Sequence, residues 1–202
     1  MQAAAETPRP PALARACVLA TSVRTRTLAA TATLAACAAT AVLAADPAGA
    51  RTTASPTARQ VAAAIRADEH SRSLWATINA CARTRHHDVM VGVRGQMPTA
   101  SFPVRLQMTL SALYYSSSSH TYLPLRGSSQ QIPLGVYSGG TVQGGIAYTL
   151  RAPVDVIGKI TFSWVRDGRV IGSVTRETTA GHHDVQDGHP ARYSAASCSV
   201  KS

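Results

Sequence analysis

Among the residues that could do chemistry, one tetrapeptide occurs twice. His86-His87-Asp88-Val89 recurs as His182-His183-Asp184-Val185, with His189 close behind. Imidazole and carboxylate groups ligate zinc, copper or nickel. His182, His183, Asp184 and His189 therefore form a candidate metal set. The alternative is that they are solvated residues flanking turns.

Other chemistries have less support. Serine and histidine are plentiful, but G-x-S-x-G is absent and no hydrolytic triad is marked by spacing. A glycosidase needs two placed carboxylates. Beyond the N-terminal region the acids are Asp68, Glu69, Asp88, Asp155, Asp167, Glu177, Asp184 and Asp187. Asp167 belongs to a turn, Asp68 and Glu69 to a linker, and no apolar pocket is evident around Glu177 or Asp155. The pairs Gly139-Gly140 and Gly144-Gly145 lack the helix and Lys-Ser/Thr of a phosphate loop and read as turns. No catalytic residue and no cofactor are expected. Tyr114, Tyr115 and Tyr122 flank a four-serine run, Ser116–Ser119, and could form a carbohydrate- or protein-binding edge.

Charge narrows the partners. The chain carries a formal net charge of +10, which draws polyanions. Its basic residues are scattered singly and no aromatics interleave with them, so specific nucleic-acid binding is not expected. Trp164 ends an alternating run and is expected in the core. Trp75 lies on the opposite face from Leu74 and Ile78, so either a bulge redirects it or it is partly exposed.

The elements that must position these residues have a period of two. Val89, Val91 and Val93 alternate with Met90, Gly92 and Arg94. Phe102, Val104, Leu106, Met108 and Leu110 alternate with polar neighbours, as do Gly158, Ile160, Phe162 and Trp164. Such alternation gives a strand one buried and one wetter face. Shorter candidates are residues 74–81, 141–150, 169–178 and 193–200. Asp167-Gly168 between two runs signals a hairpin. Residues 124–145 read as a long loop or one ragged edge strand. About seven strands over residues 71–202 argue for an all-β, immunoglobulin-like antiparallel β-sandwich. In such a sandwich the two His-His-Asp clusters fall at opposite ends, roughly 17–20 Å apart, too far to share an ion.

Residues 1–50 read as a signal peptide or N-terminal anchor. Arg15, Arg24 and Arg26 precede an uncharged Ala/Thr-rich stretch from Thr27 to Ala45, and Ala48-Gly49-Ala50 is the preferred processing site. Leu34-Ala35-Ala36-Cys37 also resembles a lipobox, so membrane attachment would come only through an uncleaved segment or lipidation at Cys37. Residues 51–70 read as a linker, or in part a short helix with Val61 and Ile65 four apart. Without Cys17 and Cys37 of the signal region, Cys81 and Cys198 remain. They are one possible pair in an oxidising compartment, or two buried free thiols.

Several blocks carry a resemblance: Ser73-Leu74-Trp75-Ala76-Thr77-Ile78-Asn79-Ala80-Cys81, Gly92-Val93-Arg94-Gly95-Gln96-Met97-Pro98, Arg105-Leu106-Gln107, Phe162-Ser163-Trp164-Val165-Arg166, Thr178-Thr179-Ala180-Gly181-His182 and Tyr193-Ser194-Ala195-Ala196-Ser197-Cys198. Over residues 73–198 the chain resembles a family of uncharacterised exported actinobacterial proteins with a predicted immunoglobulin-like sandwich. The resemblance implies that Cys81 and Cys198 pair, joining the first and last strands, and it names no reaction. The expected function is that of a non-catalytic module, secreted or associated with the cell envelope, acting through surface contacts. Its partner would be an envelope protein or an anionic wall polymer. An extracellular metal-binding protein and a small secreted hydrolase are the alternatives.

Overall fold

The structure is a computed structural model and describes residues 55–84 and 87–201. The segment expected to direct export, its expected processing site, Cys37 and His86 lie outside the described residues. No helix among the described residues is long and apolar enough to cross a membrane. Among the described residues one helix, α1 (Ala58–Glu69), precedes nine strands: β1 (Trp75–Arg83), β2 (Asp88–Pro98), β3 (Val104–Ser116), β4 (Thr121–Pro124), β5 (Gln130–Tyr137), β6 (Thr141–Arg151), β7 (Val154–Arg166), β8 (Arg169–Glu177) and β9 (Ser197–Val200).

The strands form two antiparallel sheets. The smaller has the order β1-β2-β6. In the larger, β3 and β7 lie at the centre, β4 and β5 share one edge of β3, and β8 and β9 share one edge of β7. This is an immunoglobulin-like sandwich in which the strands between β3 and β6 join the larger sheet. The inner faces meet in a core of Val89, Val91, Val93, Met97, Leu106, Met108, Leu110, Ile160, Phe162 and Trp164, all fully buried. Trp164 occupies the expected core position, and its Nε1–H donates to the Pro98 carbonyl at 3.1 Å. The hairpin at Asp167-Gly168 is present, with both residues at positive φ, 50° and 75°, as a type I′ turn requires.

Two strands exceed the expected seven. β4 and β5 contain Pro124 and Pro133 and lie along a sheet edge, where a missing backbone N–H costs no ladder bond. The strand expected over 193–200 is shorter, because residues 193–195 leave the larger sheet and run along the smaller one.

Residues 58–69 are helical. Thr57 opens the helix with a capping box: its hydroxyl accepts from the Gln60 N–H at 3.4 Å, and Gln60 Oε1 accepts from the Thr57 N–H at 2.8 Å. Ile65 is buried in the core cluster against β8, where Gly172 leaves it room: a Cβ there would overlap Ile65 Cγ2. Glu69 Oε1 accepts from the Ser173 N–H at 3.1 Å, tying the helix end to the same strand.

The decisive irregularity is a β-bulge in β1. Ile78 pairs with Val93 and Ala80 with Gly92, so Asn79 has no partner across the ladder. One extra residue reverses the alternation beyond it. Leu74, Ala76 and Ile78 face the core on one side of the bulge, and Cys81, opposite Val91, faces inward on the other. That inward turn lets Cys81 meet Cys198 of β9 in a disulfide, with Cα atoms 5.5 Å apart. The bond links the two sheets and closes a 117-residue separation. The chain-entropy model assigns it about 5 kcal/mol.

Candidate functional site

The larger sheet turns an ordered outer face to solvent. Its rows follow from the register. Arg105 pairs with Val136 and Val165, and Val165 with Val170. Next come Gln107, Ser163 and Ser173, then Thr109, Thr161 and Thr175 with Gln131 beside them. The middle rows hold uncharged hydroxyls and amides. Thr161 and Thr175 hydroxyls are 2.8 Å apart, Ser163 and Ser173 3.4 Å, and Gln131 Nε2 donates to Gln107 Oε1 at 2.8 Å.

The first row forms one wall of an open cleft of about 910 Å³. Phe102, Pro103, Val136 and Val165 supply its apolar lining, Arg105 and Arg166 its cations, and Ser55, Pro56 and Gln60 its far rim. The Arg166 guanidinium lies over the Phe102 ring, 5.2 Å from the centroid. Its Nε is 3.7 Å from Asp167 Oδ2, and that carboxylate is 91% exposed, so the pair attracts weakly. Val136 and Val170 are 58% and 61% exposed. Asp167, fixed in the hairpin turn, is the one carboxylate in the lining.

The far end of this face holds tyrosines. Tyr115 and Tyr122 meet edge to face at 5.4 Å, and the Tyr122 hydroxyl donates to Asp155 Oδ1 at 3.1 Å. Partial burial, and secondarily the Asp155 carboxylate, raise the Tyr122 pKa. Tyr114 is also exposed, at 40%, but alternates to the other side of β3 from Tyr115, opposite Leu123 and Val156.

The histidines serve another purpose. Residues 178–196 form a strap along the free edge and outer face of β1. Thr179 N–H donates to the Ala76 carbonyl, Ile78 and Ala195 exchange backbone bonds, and His189 N–H donates to the Asn79 carbonyl at 2.7 Å. The Asn79 amide donates to the carbonyls of Gln186 and Asp187. The His182 ring stacks on Trp75, with centroids 4.7 Å apart and planes 12° from parallel, and its Nε2 is 2.7 Å from Thr179 Oγ1. Burial, then the neighbouring His183, lowers the His182 pKa. Trp75 is buried for this reason: it does face away from the core, but the strap covers it. His183, Asp184 and His189 are exposed. Among the described residues no three His, Cys, Asp or Glu side chains are grouped to hold a metal ion. His87 follows the end of β1 while His182 covers its start, so these two histidines lie at opposite ends of that strand.

Residue alternation already places Arg105, Gln107 and Thr109 on one face of β3 and Thr161 and Ser163 on one face of β7. The cleft itself had no sequence signal. Arg105 and Val136 become neighbours only through a register that shifts between Leu106 and Gln107.

The fold and disulfide define a class: an all-β immunoglobulin-like sandwich stapled between its sheets. No family model matches the chain, and no curated protein matches it. Among solved structures, a candidate β-galactosidase from Bacteroides fragilis is 13% identical, with a TM-score of 0.31 over 53% of this chain and 16% of that one. A glycosyl hydrolase family 2 member from Bacteroides cellulosilyticus is 12% identical, with a TM-score of 0.31 over 55% of this chain and 16% of that one. The chain thus spans about one sixth of either length.

Proposed function

We propose that this protein is a non-catalytic exported module that acts at the cell envelope or in the medium through surface contacts made by the cleft and the outer face of the larger sheet. The observation that carries this reading is the cleft's composition. It combines an apolar lining with two arginines and only a turn-bound carboxylate, which suits holding a partner rather than moving protons. Export is supported by the arginines ahead of the Ala/Thr-rich stretch and by the disulfide, a bond favoured in oxidising compartments. The resemblance to exported actinobacterial proteins agrees. The partner is an envelope protein or an anionic wall polymer.

Isolated actinobacterial cell envelopes test the contact. The purified protein is expected to sediment with them, and the double variant Arg105→Gln/Arg166→Gln to stay in the supernatant. Equal sedimentation of both would sink the assignment of the cleft. Recovery of the protein only from the cytosol, with both thiols free, would sink the export reading.

A further inference from the structure

We propose that the cleft and the hydroxyl rows beside it form one binding site for an acidic polysaccharide, its anionic groups directed at Arg105 and Arg166. This deepens the surface-contact reading and rests on it.

Continuity is the first argument. Arg105, Val136 and Val165 belong both to the cleft lining and to the first row of the outer face. A polymer seated in the cleft therefore runs directly onto the rows of Gln107, Thr109, Thr161, Ser163 and Thr175.

The chemistry of those rows is the second. A solvent-facing sheet usually carries mixed charges, and this chain has net charge +10, yet the middle rows are uncharged. Each hydroxyl offers one donor and two acceptor sites. The cross-strand contacts at Thr161–Thr175 and Ser163–Ser173 use one donor per pair, leaving the rest for a ligand. Strands about 4.8 Å apart, with same-face residues about 6.7 Å apart along each, make a regular grid of such groups. A polyol presents the same alternation of donors and acceptors. The exposed Val136 and Val170 can take the C–H faces of sugar rings.

Charge is the third. Arg105 has no ion-pair partner among the described residues, and Arg166 has only the exposed Asp167. The cleft end is positive and the adjoining rows neutral, which matches a chain of sugars carrying carboxylate or phosphate groups. Nucleic acid fits less well, because Phe102 is covered by Arg166 and the rows offer no aromatic face for stacking bases.

Titration calorimetry and affinity electrophoresis of the purified protein test this with three polymers: polygalacturonate, dextran and polyglutamate. Polygalacturonate is expected to bind, with dextran and polyglutamate at least about tenfold weaker. Arg105→Gln/Arg166→Gln should weaken polygalacturonate about tenfold. Thr161→Val/Thr175→Val, which keeps shape and strand preference, should weaken it about threefold. Arg83→Gln/Arg151→Gln, an equal loss of two charges on the smaller sheet, should leave it unchanged. Near-UV circular dichroism checks that each variant is folded. Three results would overturn the proposal. Equal loss in Arg83→Gln/Arg151→Gln would make the binding a bulk charge effect. Polyglutamate binding as tightly, with the same arginine dependence, would make the ligand an acidic peptide. No polygalacturonate binding, alongside arginine-dependent sedimentation with envelopes, would remove the polysaccharide and leave the surface-contact reading in place.

Discussion

Deleting Asn79 should turn over half of β1. The residue is unpaired across the ladder, and its removal makes the alternation of β1 continuous. If the second half turns, Cys81 faces outward and cannot reach Cys198. The loss is then the disulfide, about 5 kcal/mol, plus two amide hydrogen bonds to the strap of about 1 kcal/mol each. If the first half turns instead, Leu74, Ala76 and Ile78 leave the core and Trp75 and Thr77 enter it. Exposing Leu74 and Ile78 alone costs about 4 kcal/mol. Either way the loss is a large part of the 5–15 kcal/mol that holds a typical domain. Asn79→Ala is the control. It keeps the bulge and the disulfide, loses only the two amide bonds, and should cost about 2 kcal/mol. With a urea slope of about 2 kcal/mol per molar, that lowers the midpoint by about 1 M. Urea titration followed by tryptophan fluorescence reads the midpoints, and alkylation with intact mass reads the thiols. A deletion variant with both an intact disulfide and a midpoint within about 0.5 M of the parent would refute the face-reversal argument.

Other consequences are as direct. Burial without a hydrogen-bond partner pushes the Tyr148 hydroxyl up to about 12. Tyr148→Phe should stabilise the protein by about 1 kcal/mol near neutrality. The parent, whose unfolded tyrosine ionises near 10, should lose stability as pH rises above that value while the variant keeps a flatter profile in alkaline denaturation. His182 has a lowered pKa, so the folded state disfavours its protonation. Its stabilising effect is whole above the ordinary value of 6.5 and falls as pH drops below it. Amide-exchange protection factors across residues 178–196, which correct for the slower intrinsic exchange in acid, should fall on acidification through that range, and His182→Phe, which retains a ring on Trp75, should remove the step. Gly172→Ala pushes a methyl into Ile65 and should cost about 1–3 kcal/mol. Limited trypsin digestion should then cut faster at Arg59 and Arg66, and an unchanged rate would mean that the helix does not depend on that contact.

Much of the fold was legible because alternation is a local property. Leu106, Met108 and Leu110 on β3, and Ile160, Phe162 and Trp164 on β7, announce their buried faces within single runs of sequence. Asp167-Gly168 announces its turn because both positions need positive φ. β4 and β5 were obscured by Pro124, Pro133 and Gly135, residues that an edge strand tolerates and a central one does not. Trp75 could not be placed from its own strand, since a segment more than a hundred residues later covers it. The His-His-Asp repeat advertised ligand chemistry, but His182 is held by a ring stack and a hydroxyl. The cleft needed cross-strand register, which residues 105, 136 and 165 do not encode locally.

The staple between Cys81 and Cys198 also ties the first strand of the domain to its last. Cys81 lies 117 residues before its partner, so β9 must be in place before the bond can close. The unpaired Asn79 turns Cys81 inward, toward the position that β9 fills. One extra residue in the opening strand thus decides whether the closing strand can be locked to it.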